Sequence, residues 1–413
     1  MQNTVAMGNI QSRHKEIGLK QHMRTLTTIA LVSLLTACAS QPAKTADESP
    51  ANNTTSAEKN DRDVFKRDIP PQLPDIKAGR SHAIATGFTT SNGDLKPEVL
   101  AYAKEVAATR DVPFDTVSRL LKQAQYNAEA VRLMSPSKTR IRPSWVTYRD
   151  RNVEPVRLKK GSQFWQQHQS LLAQAEEEYG VPASIIVAII GIETIFGDYT
   201  GNFSVLDVLT TLGFRYPDPT RPERSQMFRN QLADLFWLHH QGKLDATQVK
   251  GSFAGAMGLP QFMPTSLRRF AVDADNSGEI DLLNSPADAI FSVASFLRHH
   301  GWQPELPVFA PVTLSDAAKR LSTGSIDAEL DWQTLVEKGA RGRSENTDKA
   351  AWKSAKLGVV DLVDEPRKTV EYRTGTPNFF AITHYNRSYF YAASVADLAS
   401  ALAKRRGVPD HSE

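Results

Sequence analysis

The chain has 413 residues, of which 49 are Lys or Arg and 46 are Asp or Glu, so its formal net charge is +3. Hydrophobic residues make up 40% and charged residues 23% of it, an ordinary globular composition that excludes wholesale disorder and a collagen-like fibre. The small basic excess argues against a nucleic-acid-binding protein, which needs many cations to neutralise phosphates. A single cysteine, Cys38, excludes an intrachain disulfide and a multi-cysteine zinc site.

The first residues are organised as an export signal. Basic residues precede an apolar run, LTTIALVSLLTA, at 26–37. This run is too short to cross a bilayer, which takes about 20 residues, but it suits the hydrophobic part of a signal peptide. The run ends in Leu-Thr-Ala-Cys at 35–38, which resembles the lipobox of bacterial lipoproteins, whose cysteine is lipidated and becomes the N-terminus. The alternative is that Cys38 is a buried thiol of a core helix.

Two further features of this region agree with a lipid anchor. Residue 39 is alanine rather than the aspartate that often marks inner-membrane retention, so the outer membrane is favoured. From 39 to 63 the chain contains no Val, Ile, Leu, Met or aromatic residue. Such a segment cannot bury enough apolar surface to offset its ordering entropy, which predicts a flexible tether.

The next part of the chain is predicted to be helical. Residues 96–135 have a helical pattern, and Ser162 is a candidate N-cap for a helix that ends at Gly180. Pro182 begins an almost wholly apolar helix, which Gly197 is predicted to end.

Two more helices are predicted near 223–241 and 286–300, and after Gly301 several prolines interrupt the helical pattern. Residues 357–363 and 369–372 flank a turn and predict a β-hairpin. Helical and aromatic signals return from residue 378.

One glutamate is out of place in the apolar helix. Glu193 lies in SIIVAIIGIETIFG at 184–197, where its helical neighbours are Ile189, Ile190, Phe196 and Gly197 and none is basic. Burial without a cation raises the pKa of a carboxyl group, and the negative end of the helix dipole acts in the same direction. A carboxyl group that stays protonated near neutral pH is what a general acid requires. The alternative is pairing with a distant arginine or emergence at the helix end.

A glycine-rich segment follows, GSFAGAMG at 251–258, and then LPQFMP at 259–264. Its three glycines permit positive φ and the close approach of a ligand to the backbone. It lacks the Gly-Lys-Ser/Thr of a phosphate-binding loop. Ser252 and Gln261 are candidate hydrogen-bonding groups, and the alternative is a tight interhelical loop.

The segment DADNSGEID at 273–281 has the spacing of a calcium loop. Oxygen donors occupy loop positions 1, 3 and 5, with glycine at 6 and isoleucine at 8, as in an EF-hand. Position 12 is Asn284 instead of the usual glutamate, and Asp288 is a candidate replacement. The alternative is an acidic, solvated loop without a metal.

Two weaker signals remain. The histidine pairs at 239–240 and 299–300 are predicted to be surface or packing residues, since adjacent helical side chains point about 100° apart. HYNRSYFY at 384–391 places aromatic rings beside an amide. That equipment suits sugar binding, and the alternative is an aromatic core helix.

Together these motifs resemble the family 3 lytic transglycosylases. GIET at 191–194, GSFAGAMG at 251–258, QFMP at 261–264, the calcium-like loop and HYNRS at 384–388 occur in that order. The resemblance covers about residues 95–405 and the lipobox. It implies a mainly α (α+β) fold, with a goose-lysozyme-like helical core, a helical domain and a small inserted β domain. It also implies a lyase that cleaves the β-1,4 bond between N-acetylmuramic acid and N-acetylglucosamine of peptidoglycan (murein), leaving 1,6-anhydro ends.

The resemblance also assigns roles to individual residues. It makes Glu193 the acid and base. The substrate-binding residues it implies are Tyr148, Ser252, Gln261, Asn386 and Tyr391. The metal ligands it implies are Asp273, Asp275, Ser277, the Glu279 carbonyl and Asp288. Phe296 stands where the family can have a cleft tyrosine, and the segment before Asp288 is one residue longer than in the family.

The predicted organisation follows from these assignments. It consists of a signal peptide (1–37), the lipidated Cys38 with its tether (38–90), a helical N-terminal domain (91–160), the lysozyme-like core with the EF-hand-like loop (161–301), a β-rich insert (302–377) and a C-terminal return to the core (378–413). The protein is expected on the periplasmic face of the outer membrane, where it would act in cell-wall turnover on glycan strands. Cell-wall synthesis or hydrolysis enzymes are candidate partners. No cofactor is expected for the chemistry, and Ca²⁺ is expected to be structural.

Two other functions stay open on the sequence alone. A hydrolytic muramidase needs a second carboxylate, for which Asp198 and Asp207 are the nearest candidates. A non-catalytic, calcium-stabilised wall-binding lipoprotein needs no acid, and it gives no reason for the predicted burial of Glu193 without a partner.

Overall fold

The computed structural model describes residues 69–79, 87–137, 139–343 and 350–413. The signal peptide, Cys38 and most of the tether lie outside the described residues, so the lipobox stays a prediction. Among the helices in the described ranges, none combines the length and the apolar character needed to cross a membrane.

Helices make up about half of the described residues and strands far fewer, in agreement with the predicted mainly α fold. Before the strand-rich segment they are α1 (Pro97–Arg110), α2 (Phe114–Gln123), α3 (Ala128–Met134), α4 (Trp145–Asn152), α5 (Pro155–Gln167), α6 (Gln169–Tyr179), α7 (Ala183–Thr194), α8 (Val205–Phe214), α9 (Pro222–His240), α10 (Pro264–Phe270) and α11 (Pro286–His299). Two short strands, β1 (Phe203–Ser204) and β2 (Lys250–Gly251), pair with each other.

The strand-rich segment and the C-terminal helices complete the fold. The segment contains β3 (Phe309–Ala310), β4 (Val312–Thr313), α12 (Asp316–Lys319), α13 (Trp332–Glu337), β5 (Arg341–Gly342), a 3₁₀ helix (Ala351–Ser354), β6 (Gly358–Asp364) and β7 (Thr369–Gly375). Helices α14 (Pro377–Tyr385) and α15 (Tyr389–Arg406) follow. The limits of the domains stay predictions.

Helix α5 begins earlier than the sequence pattern indicates. Glu154 caps it by accepting hydrogen bonds from the Arg157 and Val156 amides, and a proline occupies its first turn. Ser162 lies inside the helix, where its hydroxyl donates to the Leu158 carbonyl at 2.9 Å. The prediction that Ser162 begins a helix is therefore wrong.

The predicted end of the next helix is right. His168 separates α5 from α6, and Gly180 ends α6 with a φ of 64°. That left-handed conformation costs glycine little because it has no Cβ.

Helix α7 lies at the centre of the helical core. Every residue of α7 except Glu193 is buried, and the helix packs against α5, α6, α11 and α15. It ends at Thr194, two residues before the predicted last residue, because the backbone turns left-handed at Ile195 (φ 52°), Phe196 (φ 59°) and Gly197 (φ 95°). A β-branched residue rarely adopts this conformation, so the break is not evident from the sequence.

The hairpin predicted after residue 357 is present. Strands β6 and β7 pair antiparallel from Gly358 opposite Gly375 to Asp364 opposite Thr369, and β3 pairs with the other edge of β7. A local hydrophobic cluster supports this segment, with Ala318, Leu335, Trp352, Leu357 and Val359 among its buried members.

Candidate active site

Glu193 is the most perturbed acid of the helical core. It lies in the last turn of α7 and keeps partial exposure to solvent. Burial raises its pKa from the ordinary value of 4.5 to about 7, against the opposing effect of a hydrogen bond from Tyr391. The Tyr391 hydroxyl donates to Oε1 of Glu193 at 2.6 Å. The carboxyl group is therefore half protonated near neutral pH and still reachable by a ligand.

Thr194 joins the end of α7 to the segment that follows the glycines. Its buried hydroxyl lies 3.1 Å from the Leu259 carbonyl and 3.3 Å from the Ile190 carbonyl, and it accepts the Gly197 amide at 3.1 Å. From the other side, the Tyr385 hydroxyl donates to the Pro260 carbonyl at 2.5 Å. The residues before Gln261 are thus held by two hydroxyl groups, those of the buried Thr194 and the half-buried Tyr385.

Gln261 sits at the end of this clamped segment with a left-handed backbone (φ 52°) and is 8% exposed. Its amide nitrogen donates to the Thr200 carbonyl at 3.2 Å and to the Gly258 carbonyl at 2.9 Å. These bonds orient the side-chain amide.

The glycine-rich segment forms a tight loop with little free space. The hydroxyl of Ser252 accepts the Ala254 and Ala256 amides at 3.3 and 3.1 Å, and Ser252 is 1% exposed. A Cβ on Gly251 would lie 2.3 Å from the Ala256 carbonyl oxygen, so glycine is required there by close backbone approach. Ser252 thus has a role in shaping the loop, in addition to any contact with a ligand.

Aromatic rings form a wall beside Glu193. The rings of Tyr385 and Tyr391 are nearly parallel, at 14°, with centroids 6.2 Å apart. Burial raises the pKa of both phenols, and the nearby Glu193 adds to the effect, so both stay protonated and act as donors. Phe296 is 5% exposed, and its ring packs edge-on against the Tyr385 ring with the centroids 4.8 Å apart. It therefore supports the wall from behind Tyr385.

Tyr385 is a site residue that the sequence assignment missed. It lies in the HYNRSYFY segment, but neither spacing nor residue type distinguished it from its aromatic neighbours. Its function in the fold depends on Pro260, which lies 125 residues away in the chain.

Tyr148 and Asn386 lie near the same wall. The centroid of the Tyr148 ring is 5.6 Å from that of the Phe390 ring. Burial is the main cause of the raised pKa of Tyr391, and Tyr148 is close enough to add to it. Asn386 follows the last residue of α14 and is 9% exposed. The structure therefore brings Tyr148 close to Tyr391, the donor to Glu193, and places Asn386 directly after Tyr385.

The two alternative carboxylates are engaged elsewhere. Both carboxylate oxygens of Asp198 accept hydrogen bonds from Lys160 at 2.6 Å, and Asp207 accepts the Gln125 amide at 2.8 Å. Neither contributes to the pKa of Glu193. Glu193 therefore has no carboxylate partner among these two candidates.

The predicted metal loop gathers three acids. Oxygen atoms of Asp273, Asp275 and Asp288 lie within 4.8 Å of one another, and they form the one group of three or more potential His, Cys, Asp or Glu ligands in the described part of the chain. The histidine pairs are not in that group. Hard carboxylate oxygens at this separation match the preference of Ca²⁺.

Local hydrogen bonds give the loop its shape. Asp273 accepts the Ser277 and Gly278 amides, and the Ser277 hydroxyl donates to the Glu279 carbonyl at 3.2 Å. Asp288 accepts the backbone amides of Ala274 and Asp281, each at 2.8 Å, which turns its carboxylate towards the loop.

Asn284, at loop position 12, instead donates its side-chain amide to Asp281 at 2.9 Å. The acids that the loop brings together are thus Asp273, Asp275 and Asp288.

A helical core that presents one buried acid beside a glycine-rich loop and an aromatic wall is typical of lysozyme-like glycan-cleaving enzymes. Residues 95–400 match the family described as Transglycosylase SLT domain. The chain is 34% identical over 298 residues to the membrane-bound lytic murein transglycosylase B of Escherichia coli strain K12, which covers 70% of this chain and 78% of that protein.

Solved structures agree with this comparison. The soluble lytic transglycosylase SltB1 from Pseudomonas aeruginosa is 37% identical, with a TM-score of 0.67 over 76% of this chain and 100% of that chain. The Escherichia coli lytic transglycosylase Slt35 in complex with calcium is 29% identical, with a TM-score of 0.65 over 79% of this chain and 98% of that chain.

The chain belongs to the transglycosylase SLT family. It is an enzyme, a lytic transglycosylase, with a lysozyme-like helical fold. The resemblance drawn from the sequence motifs is confirmed, and the wall-binding protein without catalytic activity is excluded.

Proposed function

We propose that the enzyme cleaves the β-1,4 bond between N-acetylmuramic acid and N-acetylglucosamine in peptidoglycan and leaves a 1,6-anhydromuramoyl end. The observation that carries the proposal is the state of Glu193, a partly accessible carboxyl group with a pKa of about 7 and one hydrogen-bond donor, Tyr391. A related enzyme named as a murein transglycosylase supports the choice of substrate.

The mechanism uses one carboxyl group twice. Protonated Glu193 donates its proton to the glycosidic oxygen as the bond from that oxygen to C1 of the muramoyl residue breaks. The resulting carboxylate then accepts the proton of the C6 hydroxyl of the same sugar, whose oxygen forms the new bond to C1. Attack within one sugar has a high effective molarity and needs neither a water nucleophile nor a second carboxylate.

Tyr391 serves both halves of this cycle. Its phenol stays protonated, so it continues to donate to Glu193 when the glutamate becomes a carboxylate. A hydrogen bond to a charged acceptor is stronger than one to a neutral acceptor, so it favours the first proton transfer.

The residues that would contact the glycan are Tyr148, Ser252, Gln261, Asn386 and Tyr391. The proposal is supported for Tyr391, which donates to Glu193, and for Tyr148, which lies near Tyr391. Ser252 and Gln261 lie on either side of the residues held by Thr194 and Tyr385, and Asn386 directly follows Tyr385 in the chain. Their amide and hydroxyl groups beside aromatic rings suit the polar edges and apolar faces of sugars.

The acidic loop is proposed to hold Ca²⁺ as a structural ion. The ligands would be Asp273, Asp275, Ser277, the Glu279 carbonyl and Asp288. The convergence of three carboxylates supports the proposal, and so does the calcium complex of the related Slt35. The ion would neutralise repulsion among the acids and supply no step of the reaction.

The enzyme is proposed to work on the periplasmic face of the outer membrane, where lipid on Cys38 would attach it. The lipobox-like sequence and the membrane-bound relative support this location. In that place it would turn over cell-wall glycan strands beside other enzymes that build or hydrolyse the wall.

Product analysis tests the proposed reaction. Purified peptidoglycan is digested, reduced with borohydride and analysed by mass spectrometry, with Glu193→Gln as the matched control. Anhydro ends resist reduction, so the proposal expects muropeptides that lack one water and gain no hydrogen. Reducible muramoyl ends as the main product would contradict the anhydro reaction and indicate hydrolysis.

A further inference from the structure

The tip of the β6–β7 hairpin contacts the start of α4, which lies more than 200 residues earlier in the chain. Oδ2 of Asp364 accepts hydrogen bonds from the Ser144 hydroxyl at 2.9 Å and from the Val146 amide at 3.0 Å. The backbones of Ser144 and Asp364 form an isolated β-bridge. Because the first amides of a helix lack partners within it, the hairpin supplies an acceptor for the Val146 amide, beside the Ser144 hydroxyl that accepts the Thr147 amide at 3.4 Å.

Asp364 is well suited to this task because it is 1% exposed and charged. Burial by itself would raise its pKa, but hydrogen bonds from Val146, Ser144 and Arg367 outweigh it and hold the pKa below the ordinary value of 3.8. The carboxylate is therefore ionised at neutral pH and can accept from several donors at once.

A second set of contacts holds the body of α4 to the same hairpin. The Trp145 indole donates to Glu371 at 2.8 Å, and Arg373 donates to Glu371 at 2.7 Å and to Asp397 at 2.6 Å. Asp397, on α15, also accepts from Arg149 at 2.5 Å. The helix is thus fixed at its start by Asp364 and along its length by the hairpin and α15 together.

Helix α4 carries Tyr148 towards the candidate active site. The Tyr148 and Trp145 rings each lie 5.6 Å from the ring of Phe390, the residue before Tyr391. Tyr391 in turn donates to Glu193 at 2.6 Å. A continuous set of contacts therefore runs from the hairpin tip through α4 to the acid.

We propose that Asp364 is a positioning residue for glycan cleavage, which fixes α4 so that Tyr148 meets the substrate beside Glu193. The inference rests on the proposed function, in which Tyr148 contacts the glycan. An eight-residue helix is marginal by itself, so α4 depends on outside contacts for its position. The strand-rich segment thereby acquires a role in substrate binding although its hairpin carries none of the proposed substrate-binding residues.

A double-mutant cycle tests this role. Asp364→Ala, Tyr148→Phe and the double variant are compared by kcat/KM on soluble glycan strands, with melting curves to establish folding. Each single change should lower kcat/KM about tenfold, the effect of about 1.4 kcal/mol from one lost hydrogen bond. Because both changes act through the same contact, the double variant should lose little more than either single one.

Two further variants separate positioning from general stability. Asp364→Asn keeps an acceptor for the Val146 amide and should recover part of the activity. Glu365→Ala removes the neighbouring carboxylate, which pairs with the exposed Arg140 and Arg142, and should leave kcat/KM within about twofold, since exposed ion pairs contribute little.

The outcomes are distinct. Losses that multiply in the double variant would overturn the positioning role while leaving the contact of Tyr148 with the glycan intact. Full activity of Tyr148→Phe would overturn both that contact and the inference, without affecting the assignment of Glu193. If Asp364→Ala does not fold, Ser144→Ala replaces it in the same cycle with the same criterion, since it removes one donor to Asp364 and the hydroxyl that caps α4 by accepting the Thr147 amide.

Discussion

The phenol of Tyr391 donates a hydrogen bond of 2.6 Å to Glu193, although 198 residues separate the two in the sequence. The bond lowers the pKa of Glu193 while burial raises it, and burial is the larger effect. The balance leaves a carboxyl group that gains and loses a proton close to neutral pH, as an acid that must later act as a base requires.

Replacing the acid by its amide tests the catalytic assignment. Glu193→Gln keeps the shape of the side chain but removes the transferable proton. The turnover of purified peptidoglycan should fall at least about 10²-fold, the lower end of the usual loss when acid–base catalysis is removed. Turnover close to that of the unmodified enzyme would exclude Glu193 as the acid.

Thermal melting provides the folding control for this variant and a pH test of its own. Because the pKa of Glu193 is higher in the fold than the ordinary 4.5, its contribution to stability is full below about pH 4.5, declines as the pH rises, and is lost above about pH 7. The loss is about 3 kcal/mol. Glu193→Gln lacks this loss, so its melting temperature relative to the parent enzyme should be higher at pH 8.5 than at pH 4. A pH-independent difference would mean that the pKa is not raised.

Removing the Tyr391 hydroxyl should move the pH profile. The active form needs protonated Glu193, so kcat/KM should decline above about pH 7. Tyr391→Phe removes the hydrogen bond that lowers the pKa, so the decline should move to higher pH, whatever the loss in absolute rate. Tyr389→Phe is the matched control, because that hydroxyl donates to the Ser325 carbonyl instead. An unmoved decline in Tyr391→Phe, or an equal shift in Tyr389→Phe, would contradict the assignment.

Part of this site could be predicted because its signals are local. A glutamate within an otherwise apolar helix indicated a buried acid, and the spacing of the acidic loop indicated the group formed by Asp273, Asp275 and Asp288. The β-hairpin followed from a turn between the segments 357–363 and 369–372.

Other features depend on contacts between distant residues. The break after Thr194 needs Ile195 in a left-handed conformation, which tertiary packing imposes against local preference. Ser162 was misread because a serine before an apolar stripe is typical of an N-cap, whereas Glu154 and Pro155 begin the helix earlier. Nothing in the residues around Tyr385 indicates its bond to Pro260.

Calcium should affect stability more than turnover. An ion at a hundredfold excess over its Kd stabilises the folded state by about 2.7 kcal/mol. For a domain of about 150–250 residues, each kcal/mol raises the melting temperature by about 2–4 °C, so calcium should add several degrees. Asp273→Ala should abolish the gain and keep most activity at low temperature.

Asp316→Ala is the control for this experiment. That exposed acid pairs with Lys319 within α12, which is not part of the acidic loop. An identical melting curve with calcium and with chelator would reject a metal site in the loop. Loss of all activity from a folded Asp273→Ala would make the ion catalytic.

The anchor is tested by fractionation of cells. Cys38→Ser removes the sulfur that would carry lipid, so the protein should leave the outer-membrane fraction or remain unprocessed. Ser40→Ala, two residues away, should leave the distribution unchanged. If Cys38→Ser still fractionates fully with the outer membrane, the lipobox interpretation is wrong.

The origin of the oxygen on C1 of the product tests the single-acid mechanism most directly. When peptidoglycan is digested in water enriched in ¹⁸O, attack by the C6 hydroxyl within the same sugar should leave the new muramoyl end unlabelled. Mass spectrometry of the products then shows anhydro ends at their unlabelled mass. Muramoyl ends that carry one ¹⁸O from their first appearance would show that water is the nucleophile and would contradict the use of Glu193 as acid and then base for an internal attack.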